Sequence, residues 1–354
     1  MADSNLKSRV LEDAAVRLGL PVTRLDHYVL EVTIGGRPHQ FLQMCGPTSS
    51  AAAKYLCDHK DLTRLLLTRA GLTINEGATF AAAELEQAVA YAQVLGYPVV
   101  VKPTSLSRAR GVTLGIDTAE GVREAGARAL ASVAGSDNER FLVERQFAGG
   151  TDYRFFVVGD RVVGVIRRVA AYVVGDGVAT LLELIQAKNA LRAARPFYAE
   201  RLIPDDVARL GRLKRLGIAL SSVPASGERV QLQDATNAGS GGENVDATDA
   251  VHPRYLQLAL AAIAAIPGMR YGGVDMFARD FTTFDEGDAG AYAIGEVEFS
   301  PAPGPLFVME GVARDVGRAV LEFYLDRAAQ PSSHGPLHPT ATGDAGRRLE
   351  TPPT

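Results

Sequence analysis

The chain has 354 residues, 47% apolar and 22% charged, with 41 acidic against 37 basic side chains and a formal net charge of −4. That is roughly two folding units at ~150 residues each, of ordinary globular chemistry, which excludes wholesale disorder and collagen-like repeats. The acidic balance argues against a nucleic-acid partner, two cysteines against a disulfide scaffold, and the absence of any apolar run of about eighteen residues against a membrane span.

The polar, acidic start lacks a signal-peptide core, so a cytoplasmic protein is expected. Residues 8–18 have helical spacing and stop at Gly19 and Pro21. Residues 28–34 and 40–44 alternate on either side of Gly35-Gly36, a hairpin signal. A helix is expected over 49–70 and another, rich in Ala and Leu, over 81–96. The second runs into Val99-Val100-Val101-Lys102, a buried strand closed by Pro103. A loop over 104–110 leads to a strand at 112–116, a helix at 119–134 and a strand at 141–144. Strands 153–158 and 161–168 flank Gly159-Asp160, a two-residue hairpin turn. Gly175-Asp176-Gly177 turns again before helices at 180–192 and 207–216. A polar, Gly-rich stretch over 237–246 precedes a helix at 252–266. Strands 272–279 and 291–299 are joined through the acidic loop 285–290, and a last helix covers 308–328. Residues 330–354, rich in Pro, Ser, Thr and Gly, read as a disordered tail. Helices mixed with antiparallel pairs predict α+β layers rather than a doubly wound sheet.

Basic charge is carried by 31 Arg and only 6 Lys, which draws attention to each lysine within a motif. Lys102 emerges at a strand end beside the loop Ser105-Leu106-Ser107-Arg108-Ala109-Arg110-Gly111. Fixed cations and backbone N–H groups in that setting suit a polyphosphate. The same stretch also fits an ordinary strand-end lysine beside a surface loop. Lys60 falls inside the expected helix 49–70, where solvent exposure is the plain alternative. Glu296 and Glu298 alternate and so share one strand face, with Asp275 expected on the neighbouring antiparallel strand. Three carboxylates on one face repel unless something positive neutralises them, and Mg²⁺ is the expected occupant; a solvated acidic face is the alternative. Cys45 and Cys57 lie outside these motifs and read as buried thiols. His252, ahead of Pro253, reads as a helix cap or a surface residue.

Taken in order, these segments resemble the ATP-grasp superfamily, and within it the ATP-grasp domain of cyanophycin synthetases and bifunctional glutathione synthetases. The resemblance spans roughly residues 8–325. It is carried by His59-Lys60-Asp61-Leu62-Thr63-Arg64-Leu65-Leu66 with Ala70-Gly71-Leu72, by Gly96-Tyr97-Pro98-Val99-Val100-Val101-Lys102-Pro103, and by Phe141-Leu142-Val143-Glu144-Arg145 with Asp152-Tyr153-Arg154. Val174-Gly175-Asp176-Gly177 with Thr180 and Glu183-Leu184-Ile185 adds to it, as does Asn237 with Ser240-Gly241-Gly242, Asp246, Thr248-Asp249 and His252-Pro253.

The resemblance implies an ATP-grasp fold of two α+β subdomains clamping ATP, at 76–150 and 151–329, after an N-terminal α/β segment at 1–75. It implies Lys60, Lys102 and Arg110 on the phosphates, Glu144, Arg145 and Phe147 around adenine, and Asp152 on the ribose. Asp275, Glu296 and Glu298 would bind Mg²⁺, or Mn²⁺ in its place. Arg168 would face the reacting carboxylate or γ-phosphate, with Lys102 beside it in catalysis. Asn237, Ser240, Gly241 and Gly242 would form part of the acceptor site. The chain departs from the pattern at Glu298, where Asn is usual, and at Gln233, where Arg is usual. It also departs at Arg168-Val169-Ala170-Ala171, where Arg-x-Pro-Ala is usual, and in a phosphate loop with fewer glycines.

The implied activity is a stand-alone amino-acid or dipeptide ligase. A carboxylate attacks the γ-phosphate of ATP to give an acylphosphate and ADP, and an amine then forms a peptide or isopeptide bond, with a γ-glutamyl donor as one form. Residues 104–111 would be the lid that excludes water. A homodimer is compatible with this reading. The rival is a catalytically decayed, ATP-binding regulatory or scaffold protein, supported by Glu298 and Gln233. Biotin-dependent carboxylation is disfavoured, since no biotinyl-lysine segment is visible.

Overall fold

The structure is a computed structural model and describes residues 5–106, 110–136, 138–207, 210–288 and 290–329. The expected tail at 330–354 and the centre of the expected lid, 107–109, lie outside the described residues.

The elements follow in chain order: α1 (Leu6–Arg17), β1 (Val22–Arg24), β2 (Val29–Ile34), β3 (Arg37–Leu42), α2 (Ala51–Asp58), α3 (Lys60–Arg69), β4 (Gly77–Ala81), α4 (Leu85–Leu95), β5 (Val99–Pro103), β6 (Thr113–Ile116), α5 (Ala119–Val133) and β7 (Arg140–Arg145). Then come β8 (Thr151–Val158), β9 (Arg161–Val169), β10 (Tyr172–Val174), α6 (Leu181–Ala193), α7 (Gly211–Leu216), β11 (Arg229–Gln231), β12 (Glu243–Asp246), α8 (Pro253–Ala264), β13 (Tyr271–Ala278), β14 (Tyr292–Glu298) and α9 (Val316–Ala329).

Two antiparallel sheets dominate. One has the order β4-β7-β5-β6, the other β12-β9-β8-β13-β14. In the first, Val99, Val101, Phe141 and Val143 face α4 and α5 and bury against Ala88, Ala92, Val122 and Ala129. Their alternates on the opposite face include Lys102 and Glu144, since Val100 pairs with Glu144 and Lys102 with Leu142. In the five-stranded sheet, Phe155, Val157, Val274 and Met276 bury against Leu258 and Ala262 of α8. On the other face, Phe156 and Val158 pack with Leu11 of α1, Val32 of β2 and Val320 of α9. That second face turns polar toward Arg154 and Asp152, two and four residues before Phe156.

The hairpin β2–β3 turns through Gly35 and Gly36, both at positive φ (58° and 75°), the geometry that two-residue turns require and glycine supplies. The single helix expected over 49–70 is two helices. His59 is extended (φ −112°, ψ 99°), its ring stacks on Tyr55 at 4.0 Å, and the Thr63 hydroxyl donates to the Leu56 carbonyl freed at the end of α2. The break makes Lys60 the first residue of α3. The last helix starts at Val316 rather than at 308. The segment before it is tied to β12, with Gly311 at φ 90° against Asp246 and Asp246 N–H donating to Glu310 O at 3.0 Å. His252 caps α8, its Nδ1 accepting from Arg254 N–H at 3.2 Å. No helix among the described residues is long and apolar enough to cross a membrane.

Candidate functional site

The break at His59 turns the start of α3 toward both sheets. Lys60 N–H donates to Thr104 O at 2.9 Å, just past β5, and its ammonium donates to Leu106 O. The same ammonium lies 3.3 Å from Glu296 Oε1 on β14. Lys60 is therefore buried, not solvated. One turn on, on the same helix face, Arg64 donates to Asn75 O at 2.7 Å and lies 3.2 Å from Glu144 Oε2. The other oxygen of Glu144 is 2.7 Å from Lys102 Nζ. Glu144 is 3% exposed, and both its oxygens are occupied by cations, an arrangement that the expected adenine contact did not include. One carboxylate thus orients two cations with donors to spare.

Arg145 lies half-exposed with its guanidinium 3.2 Å from Glu76, and Phe147 stacks on Phe277 with centroids 6.2 Å apart. Arg110 is exposed. Cys57 is buried beside Lys60, and burial pushes its thiol up to about 12, which leaves it inert; Cys45 is likewise buried.

On the five-stranded sheet the register sets charges side by side. Asp152 pairs with Arg168, Arg154 with Asp275, and Asp275 with Glu296, so all five stand on one face. Arg168 Nη2 bridges Asp152 Oδ1 at 2.6 Å and Asp275 Oδ2 at 2.7 Å. Asp152 also accepts from the Thr236 hydroxyl. Arg154 donates from Nε to Asp275 Oδ1 at 2.6 Å and from Nη2 to Oδ2 at 2.8 Å, and its Nη1 lies 2.5 Å from Glu298 Oε2. Burial alone would raise the Asp275 carboxyl, but Arg154 and Arg168 outweigh it and hold it at about 2. The Arg168 Nε–H is buried with no hydrogen-bond partner.

The shared face of Asp275, Glu296 and Glu298 is as expected, but what neutralises it is not a resident metal. Lys60 takes Glu296, and Arg154 takes Asp275 and Glu298. Among the described residues, no three His, Cys, Asp or Glu side chains converge as a metal site. Guanidinium groups take both oxygens of Asp275 and one of Glu298, and the Lys60 ammonium takes one of Glu296, so as placed the three do not present a shared set of oxygens to a Mg²⁺.

Asn237 begins a one-turn helix at Ala238–Ser240, and Gly241 closes it at φ 86°. A Cβ on Gly242 would stand 2.3 Å from Thr236 O, so only glycine fits there. Asn237 Oδ1 is buried without a partner. Behind this loop lies a cluster the sequence did not announce. Arg192, fully buried on α6, donates to Gly242 O at 3.3 Å, and Lys188 Nζ lies 2.9 Å from Glu243 Oε1. Their i, i+4 spacing was the available signal. The turn at Gly175-Asp176-Gly177 is scaffolding for α6. Asp176 accepts from Val178 and Ala179 N–H at 2.8 and 2.7 Å, and Thr180 with Glu183 forms a capping box.

Residues 59–170 match the family described as "Carbamoyl-phosphate synthase L chain, ATP binding domain". The crystal structure of a bifunctional glutathione synthetase from Pasteurella multocida matches 92% of this chain and 44% of that one, with a TM-score of 0.68 at 27% identity. The fold is ATP-grasp. Among curated proteins, this ATP-grasp chain is 31% identical over 307 residues to the glutathione biosynthesis bifunctional protein of Mannheimia succiniciproducens, covering 84% of the chain and 39% of the relative. It is 32% identical over 312 residues to cyanophycin synthetase of Geminocystis herdmanii, covering 86% of the chain and 34% of the relative. The chain thus spans well under half the length of these relatives. The resemblance to the ATP-grasp domain of both kinds of synthetase holds.

Of the groups that matter most in the geometry, Arg154 and Arg64 sat inside quoted motifs without an assigned role. Arg154 is two residues from Asp152 and Arg64 four from Lys60, so strand and helix periodicity alone placed each on the right face.

Proposed function

We propose that the chain is an ATP-dependent carboxylate–amine ligase that joins amino acids through an acylphosphate and releases ADP and phosphate. The observation that carries this is that Lys60, on the helix that brings Arg64 to Glu144 beside Lys102, also reaches Glu296 on the sheet face that holds the buried, half-satisfied Arg168. Lys60 and Lys102 would hold the α- and β-phosphates, and Phe147 and the Arg145 backbone would border adenine. Arg168, whose Nε–H lacks a partner, would take the reacting carboxylate; a buried unmade hydrogen bond costs about 1–3 kcal/mol, and an incoming anion would recover it. Asn237 and the tight Ser240-Gly241-Gly242 turn would receive the amine. The protein's part is to position the reactants and offset charge, with no covalent nucleophile required. Mg²⁺, or Mn²⁺, would be carried in on the nucleotide. Subdomain boundaries at 76–150 and 151–329 accord with the two main sheets.

The similarity to synthetases favours an enzyme over a decayed regulatory protein, and a γ-glutamyl donor rests on that similarity alone. The test is ADP release with ATP, Mg²⁺ and pooled amino acids, followed by mass spectrometry of amino-acid pairs. ADP with a product heavier by one amide condensation supports the ligase. AMP and pyrophosphate, or nucleotide binding without turnover on any pair, would overturn it.

A further inference from the structure

Arg192 is the largest fully buried side chain among the described residues, and the proposed reaction gives it no task. Glu243, the carboxylate beside it, is held more closely by Lys188, with Nζ at 2.9 Å against 3.5 Å for Arg192 Nη1. The hydrogen bonds of Arg192 go mainly to two backbone carbonyls. Nε and Nη2 donate to Arg201 O at 3.2 and 2.5 Å, and Nη1 and Nη2 both donate to Gly242 O at 3.3 Å. The Tyr198 ring lies against the guanidinium, its centroid 4.8 Å away, and the Tyr198 hydroxyl accepts from Asn244 N–H at 3.0 Å. A buried guanidinium is unfavourable unless its donors are met. Helix α6 is anchored without it. Leu181 and Ile185 share a core with Ala171, Val173 and Ile203, and the Asn189 amide pairs with both backbone groups of Ile203 at 2.8 Å.

What Arg192 adds is a hold on Gly242. That residue closes the loop 237–242. Its N–H donates to Asn237 O at 3.2 Å, and Ser240 N–H donates to the same oxygen at 3.0 Å. On its other side Gly242 leads directly into β12, where Asn244 pairs with Arg168. Two donors on Gly242 O therefore set where the loop stands relative to Arg168. Within the loop, the buried and unpartnered Asn237 Oδ1 is an acceptor suited to the N–H of an amine.

We propose that Arg192 is a positioning residue for the acceptor, holding the Asn237–Gly242 loop where Asn237 Oδ1 can receive the incoming amine beside the acyl group at Arg168. This rests on the ligase reading of the site. Arg192 itself, wholly buried behind the loop, touches no reactant. Its loss would spare the first half-reaction, at the phosphates and Arg168. It would impair the second, in which the amine nitrogen bonds to the acyl carbon, phosphate leaves and the amine gives up a proton. A displacement of about 1 Å at such a step can lower the rate roughly a hundredfold.

The test separates the two halves with hydroxylamine, a small nucleophile that needs no acceptor loop. Its nitrogen displaces phosphate from an acylphosphate and leaves a hydroxamate. The full chain is given ATP, Mg²⁺ and pooled amino acids, with and without hydroxylamine. Hydroxamate is read by its iron(III) colour and peptide by mass spectrometry. Arg192→Met is expected to lose about tenfold or more in peptide, while hydroxamate stays within about threefold of the wild type. Arg192→Lys, which keeps the charge but cannot bridge two carbonyls, is expected to fall between, and it serves if the Met variant does not fold. Peptide at the wild-type rate in either folded variant, or parallel loss of peptide and hydroxamate, would overturn the proposal. So would failure of both variants to fold, which would make Arg192 a structural residue only. A wild type that forms neither product refutes the ligase reading itself, and the role of Arg192 falls with it.

Discussion

The four-stranded and five-stranded sheets both bury charge on the face that carries the site, and they balance it in opposite senses. On the first, Glu144 alone serves Lys102 and Arg64, leaving cation in excess. On the second, Asp152, Asp275 and Glu298 share two guanidiniums, leaving carboxylate in excess. Neither side is neutral by itself. A polyanion has cations waiting on α3 and β5, whereas the carboxylates of the other sheet are paired with its own arginines.

The sharpest way to break this contrast is at Asp275, where two arginines converge. Asp275→Ala should destabilise the fold by about 3–5 kcal/mol, because it leaves two buried guanidiniums short of their anion. Urea unfolding of the variant checks this; a loss below 1 kcal/mol would mean the network is wetter than it looks.

Lys102→Ala attacks the other sheet and should act on turnover rather than on folding. Glu144 keeps Arg64 as a partner, so the fold should survive. Activity should fall by roughly a hundredfold, about 3 kcal/mol of transition-state stabilisation. Near wild-type ADP release would remove Lys102 from the phosphate site.

Acid should separate the two sheets. The Asp275 carboxyl is held at about 2, below its ordinary 3.8, first against burial and then by Arg154 and Arg168. A depressed carboxyl contributes stability that is present above the unfolded value and lost as pH falls from about 4 toward 2, here about 2 kcal/mol. Stability measured between pH 5 and pH 2 should show this slope, and Asp275→Asn should flatten it.

The smallest effect is expected at Glu298, whose side chain is 31% exposed. Glu298→Gln keeps a hydrogen bond to Arg154 and loses only a partly screened ion pair, so stability should change by about 1 kcal/mol or less. A loss comparable with that of Asp275→Ala would show that Glu298, rather than Asp275, anchors the arginine.

The sequence revealed much of this arrangement where an element is long and periodic. Strands β8, β9, β13 and β14 lie within two residues of expectation, and Lys102 does sit at a strand end. What it hid was local or cross-strand. The helix break at His59 depends on a ring stack and a hydroxyl-to-carbonyl bond that no propensity encodes. Strands β10, β11 and β12 are three or four residues long, too short for a period to emerge. Counting Asp275, Glu296 and Glu298 alone overlooked Arg154 on β8 and Lys60 on α3, whose approach only the register and the helix break at His59 reveal. The glycine-rich signatures at 175–177 and 240–242 were visible, but half of what they do is hold α6 and a tight turn.

Helix α3 is only ten residues long, yet its first two turns touch the loop after β5, the Glu144 carboxylate and β14. Just beyond it, Ile294 N–H donates to Thr73 O at 2.8 Å, a further stitch to the same strand. The helix works as a crossbar. Whatever alters the span between the two sheets must turn or strain this one short rod, so its angle is tied to how the two sheets stand. A substitution at Lys60 would therefore loosen two walls at once, and its effect on nucleotide affinity should exceed what one lost ammonium contact predicts.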